Sequence, residues 1–239
     1  SIDALMQAKS APYTGWGGFY YDNGVPRERM KEFLIEAARN DIRITTITPD
    51  YFELFEEVDK VVPIGDKRWV VGHLDVITED QARRIADLGV AMSTHTNRYI
   101  YKHGHLMRDE MGPERENDIV PLKRLREAGI HVSLATDNVP TTLFYPIWHV
   151  VSRRNLYVDD RIAPEQAVSR EDALRCATID GAWLSFEEDV KGSIEPGKLA
   201  DMAVLSADPL SCPEDDIKDI VAETTIVGGR VVHQRDETP

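Results

Sequence analysis

The middle of this chain repeats one pattern, and that pattern limits the fold more than any other feature. A helix with one apolar face ends, and a strongly apolar stretch follows almost at once. Residues 79–88 carry Ala82, Ile85, Ala86 and Leu88 near helical spacing, Gly89 sits where a helix takes its left-handed stop, and 90–94 reads as a strand. Leu122 and Leu125 lead to Gly129 and then to an apolar stretch at 130–135. Residues 27–39 read as a helix that ends at Asn40-Asp41, before a strand at 42–47. A further strand at 69–74 follows a helix near 51–60. Helices alternating with strands across short turns mark parallel βα units. Strands as continuously apolar as Trp69-Val70-Val71 point to burial on both faces.

Beyond Asp137 the pattern changes. Helices are expected at about 143–154 and from Ser169, where Ser169-Arg170-Glu171-Asp172 resembles a capping box. Short strands follow at 202–205, 223–227 and 230–233, with Gly228-Gly229 as a two-residue hairpin turn. The tail is therefore a small antiparallel piece. Four parallel strands are half of what a closed (β/α)₈ barrel needs. Half a barrel leaves strand edges that seek pairing, so either a missing N-terminal half, a second chain or a homo-oligomer is expected to complete it, or the four strands form an open sheet.

Composition narrows the class of partner. Among 239 residues, 42 are acidic and 28 basic, for a net charge of -14. Phosphate binding needs clustered Lys and Arg, so nucleic acid and anionic membrane are poor partners, and a small-molecule substrate is expected instead. No apolar run approaches a membrane span. Cys176 and Cys212 form no disulfide framework, and the N-terminal stretch SIDALMQAKS is unlike a signal peptide, which together suggest a cytoplasmic chain that starts partway through a longer one.

In a parallel α/β fold chemistry gathers at the C-terminal ends of strands. Asp137 follows an apolar strand directly; it is either a turn or helix-cap residue, or a carboxylate held for pairing or metal binding. His73, after three apolar residues and Gly72, is either a half-buried imidazole bonded to a loop or a metal ligand, and His95 is a weaker case of the same kind. His103-Gly104-His105 follows Asn97-Arg98-Tyr99-Ile100-Tyr101-Lys102, which reads as a loop, so the pair suits a surface or substrate-loop role. Asp215-Asp216 and Glu187-Glu188-Asp189 read as solvated faces.

The most specific stretch is Gly192-Ser193-Ile194-Glu195-Pro196-Gly197-Lys198-Leu199-Ala200-Asp201-Met202-Ala203-Val204-Leu205, followed by Asp208-Pro209. It resembles the tail of the metal-dependent amidohydrolase superfamily, in particular the amidohydrolase family 3 branch. Residues 125–140 resemble that family's last barrel strand, and Gly112-Pro113-Glu114-Arg115 resembles a loop before it. The resemblance covers roughly residues 10 to 233 and implies an α/β fold: the C-terminal half of a TIM barrel, about strands 5–8, over 1–190, and part of a small flanking β-sandwich domain over 191–239.

The resemblance also implies a chemistry, hydrolysis of a carbon–nitrogen bond other than a peptide bond. Asp137 matches the family's metal ligand and proton shuttle after strand 8, and His73 the metal-binding His after strand 6. His95 and Arg115 are then candidates for substrate binding, with Tyr99, Tyr101, Arg98 and Arg108 shaping a pocket for a flat or anionic substrate. The implied cofactor is a divalent metal, zinc first. Two departures stand out: Gly72 occupies a position where the branch usually has Glu, and strand 42–47 offers Thr45, Thr46 and Thr48 where the family ends in a metal His. A non-catalytic relative, and a deaminase, lyase or isomerase on the same scaffold, stand as alternatives.

Overall fold

The computed structural model describes residues 25–47, 51–137 and 141–235. Within them α1 (Arg27–Arg39), β1 (Thr45–Thr46), α2 (Phe52–Asp59), β2 (Val70–Leu74), α3 (Glu79–Asp87), β3 (Ala91–Thr94), α4 (Gly104–Met111), α5 (Leu122–Glu127) and β4 (Val132–Ser133) follow one another. The four strands form one sheet in the order β1-β2-β3-β4, every pair parallel. The expected βα units are present, with shorter strands than the apolar runs suggested. The pairing extends a little past the strand ends, as in Val70 N to Ile44 O at 2.9 Å and Met92 N to His131 O at 2.9 Å.

The core lies between sheet and helices. Val70, Val71, Leu74, Ala91, Met92 and Val132 are buried along the strands, so the continuous apolar runs do bury both faces. Phe55 of α2 meets the edge of Trp69 at 4.8 Å, and Trp69 Nε1 donates to Ile42 O at 3.2 Å, so this large ring buries its area without an orphaned donor. Thr78 caps α3 in a reciprocal box with Gln81.

Three further helices, α6 (Phe144–Ser152), α7 (Arg170–Ala177) and α8 (Ile179–Leu184), precede the three-stranded antiparallel sheet of β5 (Met202–Leu205), β6 (Ala222–Val227) and β7 (Arg230–Gln234). Ser169 Oγ accepts from Asp172 N at 3.0 Å, as its capping pattern implied. Gly228 and Gly229, with φ of 56° and 77°, make the expected hairpin between β6 and β7. Among the described residues no helix is long and apolar enough to cross a membrane.

Two expectations need correction. Residues 97–102 are not a loop: Asn97–Lys102 is a π-helical turn running into α4, so His105 lies on a helix. Its burial of Tyr99 and Ile100 replaces the periodic signal that a regular helix would show. Nor is Glu188 solvated. It makes two hydrogen bonds to Arg68, at 2.6 and 3.0 Å, and the Arg68 guanidinium lies 4.2 Å from the Trp183 ring and 4.4 Å from Phe186. His131 also stacks on the Trp183 ring, with centroids 3.8 Å apart. This belt ties the end of α8 to the N-terminal ends of the strands, away from the candidate site.

Candidate functional site

Three neighbouring strands deliver three side chains to one rim. His73 belongs to β2, His95 follows β3, and Asp137 comes four residues after β4. His95 Nε2 lies 2.9 Å from Asp137 Oδ2, and the His73 and His95 rings stand 5.1 Å apart. The Tyr99 and His95 rings stand perpendicular, with centroids 5.6 Å apart.

The local backbone is bent to achieve this. His73 and Asp137 both have left-handed φ, at 50° and 55°. Outside glycine such conformations cost about 1–3 kcal/mol and gather where function requires them. The β2–β3 register shifts between Val71 and Leu74, so a bulge re-aims His73. Gly72 makes that bulge possible: a Cβ there would stand 2.7 Å from Thr46 O of β1. The absence of Glu at this position is thus a packing requirement of the strand pair.

Burial sets the protonation of the pair. It pulls the His95 pKa down to about 4, against the pull of Asp137, with His73, Arg98 and Lys102 adding to the lowering. Burial also lowers His73, partly offset by Asp137. At neutral pH His95 is therefore neutral, and the arrangement that uses Asp137 as acceptor puts its proton on Nε2. His95 Nδ1 is buried and has no hydrogen-bond partner among the described residues.

Imidazole and carboxylate donors suit a divalent cation, and a carboxylate that receives a ring N–H is a usual support for a metal-binding imidazole. Yet no three His, Cys, Asp or Glu side chains among the described residues are arranged to hold one ion. They fit a metal as contributors to a larger donor set, not as a complete cage.

The other expected residues lie as follows. Arg115 sits on the 3₁₀ segment Pro113–Asp118, where its Nε turns to Asp118 at 3.5 Å. Arg108 pairs with Asp160 at 2.7 Å, and Tyr99 is buried beside His95. At the end of β1 the described residues Thr45 and Thr46 supply no imidazole, and Thr48 lies outside the described residues. Sequence reasoning missed His149, whose Nδ1 lies 3.1 Å from Thr96 Oγ1, beside His95. The one available signal was a histidine inside the apolar run Ile147-Trp148-His149-Val150.

The model of the amidohydrolase family matches residues 28–233, most of the chain. The chain belongs to the amidohydrolase family. It is 29% identical over 167 residues to the N-substituted formamide deformylase of Arthrobacter pascens, covering 68% of this chain and 30% of that protein. It is 26% identical over 178 residues to an imidazolonepropionase of Porphyromonas gingivalis, covering 73% and 38%. A metal-dependent hydrolase from Pyrococcus horikoshii OT3 superposes with a TM-score of 0.64 at 23% identity, over 80% of this chain and 39% of that one. The chain thus spans about a third of the length of these relatives.

Proposed function

We propose that this amidohydrolase chain is part of a hydrolase of carbon–nitrogen bonds other than peptide bonds, with small N-substituted formamides the first substrates to try. The observation that carries the reading is the Asp137 carboxylate 2.9 Å from the Nε2 of a neutral His95 beside His73, on one rim of three adjacent strands. The similarity to a formamide deformylase supports the choice of substrate.

His95 Nε2 stands 2.9 Å from one carboxylate oxygen of Asp137 and leaves the other to work. That oxygen takes a proton as water adds to the amide carbon. The carbon–nitrogen bond then breaks, the same proton passes to the departing nitrogen, and acid and amine leave. His73 and Asp137 would hold a divalent metal, zinc first, together with donors from the rest of the protein. When bound, such an ion lowers the pKa of a water and polarises a carbonyl. His95 and Arg115 would face the substrate, His95 through its place in the pair and Arg115 from the neighbouring segment. On this reading the protein works in the cytoplasm, with a homo-oligomer or the rest of the barrel as its partner.

One observation favours a second reading. Thr45 and Thr46 stand at the strand where the resemblance calls for a metal-binding His, as in a relative that has lost catalysis. Metal analysis and turnover of the full-length protein separate the two. About one divalent ion per chain with hydrolysis of N-substituted formamides supports the enzyme; a folded, metal-free and inert protein supports the other reading.

A further inference from the structure

His149 stands in the middle of α6 and is fully buried. Its Nδ1 meets Thr96 Oγ1 at 3.1 Å, while Nε2 has no hydrogen-bond partner among the described residues. Its ring stacks on Tyr101 at 4.8 Å, and Tyr101 belongs to the π-helical turn that begins two residues after His95. Burial, with Arg153 and Lys102 nearby, pulls its pKa down to about 3, so the ring is neutral. A neutral imidazole carries one proton. Placed on Nε2, that proton would be a buried donor with no acceptor among the described residues. Placed on Nδ1, it meets the threonine hydroxyl.

The chain path gives this contact a consequence. Thr96 adjoins His95, whose Nε2 lies 2.9 Å from Asp137 Oδ2. Asp137 in turn leads into α6, the helix that carries His149. The residues after α6 grip the same turn twice more: Asn155 Nδ2 donates to Ile100 O at 2.8 Å, and Leu156 N to Tyr101 O at 2.8 Å. The turn that follows His95 is therefore held by α6 and the residues just after it.

We propose that His149 is a positioning residue: through its Nδ1–H bond to Thr96 it fixes the peptide that carries His95, and so aims His95 at Asp137. It touches no reacting atom, and the proposal holds whatever the reaction is. Histidine-selective ¹⁵N NMR of the full protein tests it. In the unmodified protein His149 carries its proton on Nδ1 and His95 on Nε2. In Thr96→Val the His95 ring N–H exchanges with water at least about fivefold faster, the scale of one lost hydrogen bond, and Thr96→Ser restores it. His149→Phe, which keeps the ring stack, behaves like Thr96→Val, and His149→Asn, which can still donate to Thr96, behaves like Thr96→Ser. A His149 protonated on Nε2 overturns the proposal. So does a His95 N–H whose exchange is unchanged in both Thr96→Val and His149→Phe. The first result needs no variant, so it decides even where a substitution unfolds the chain.

Discussion

At the residue scale, the deciding feature is that two imidazoles are kept neutral by burial beside a carboxylate. His149 gives this a thermodynamic signature. Its folded pKa of about 3 lies below the ordinary 6.5. The unfolded chain therefore binds a proton that the folded chain refuses, and the contribution is present above about pH 6.5 and is lost as pH falls towards 3. Denaturant melts at pH 7 and pH 5 check this: stability drops at the lower pH, and the drop shrinks in His149→Phe. Asp137 and His73 stood out in the sequence as candidates because each comes after apolar strand residues, where a polar side chain needs a reason. His149 was not, because an apolar run around a histidine looks like core packing whether or not the ring holds a partner.

At the scale of elements, the alternation of helix stops and apolar strands revealed the parallel sheet, since glycine at a helix end and β-branched residues in a strand are local preferences. The π-helical turn Asn97–Lys102 was hidden for the opposite reason: its form is dictated by bonds from distant residues such as Asn155 and by burial of Tyr99. Gly72 yields an element-scale prediction. Its missing side chain is the clearance between β1 and β2, so Gly72→Ala destabilises the protein by about 1–3 kcal/mol, the usual cost of overpacking, measured by urea denaturation. Gly72→Glu restores the family's usual residue and yet destabilises at least as much. The belt at the opposite rim makes a separate case. Arg68→Ala removes a paired, half-buried guanidinium and its two aromatic contacts. It lowers stability by about 2 kcal/mol, the scale of a desolvated cation–π contact with its ion pair. Since the belt and the His95–Asp137 pair lie at opposite strand ends, the His95 ring N–H signal stays where it was.

At the scale of the whole molecule, the four described parallel strands form an open row, and the antiparallel sheet carries exposed Val204, Val227, Val231 and Val232. Exposed strand edges and apolar side chains of this kind favour association. The 239-residue chain alone is expected to run as a dimer or larger species in light scattering, and a clean monomer would remove the reason for invoking a completing partner. The central claim is the joint work of Asp137 and His95 in breaking a carbon–nitrogen bond. Its most direct test is hydrolysis of an N-substituted formamide by the full-length protein and its Asp137→Asn variant. Turnover is expected to fall by about 10²–10⁴ in the variant, the share of a lost acid–base group, with an unchanged melt. Equal turnover in both proteins would contradict it.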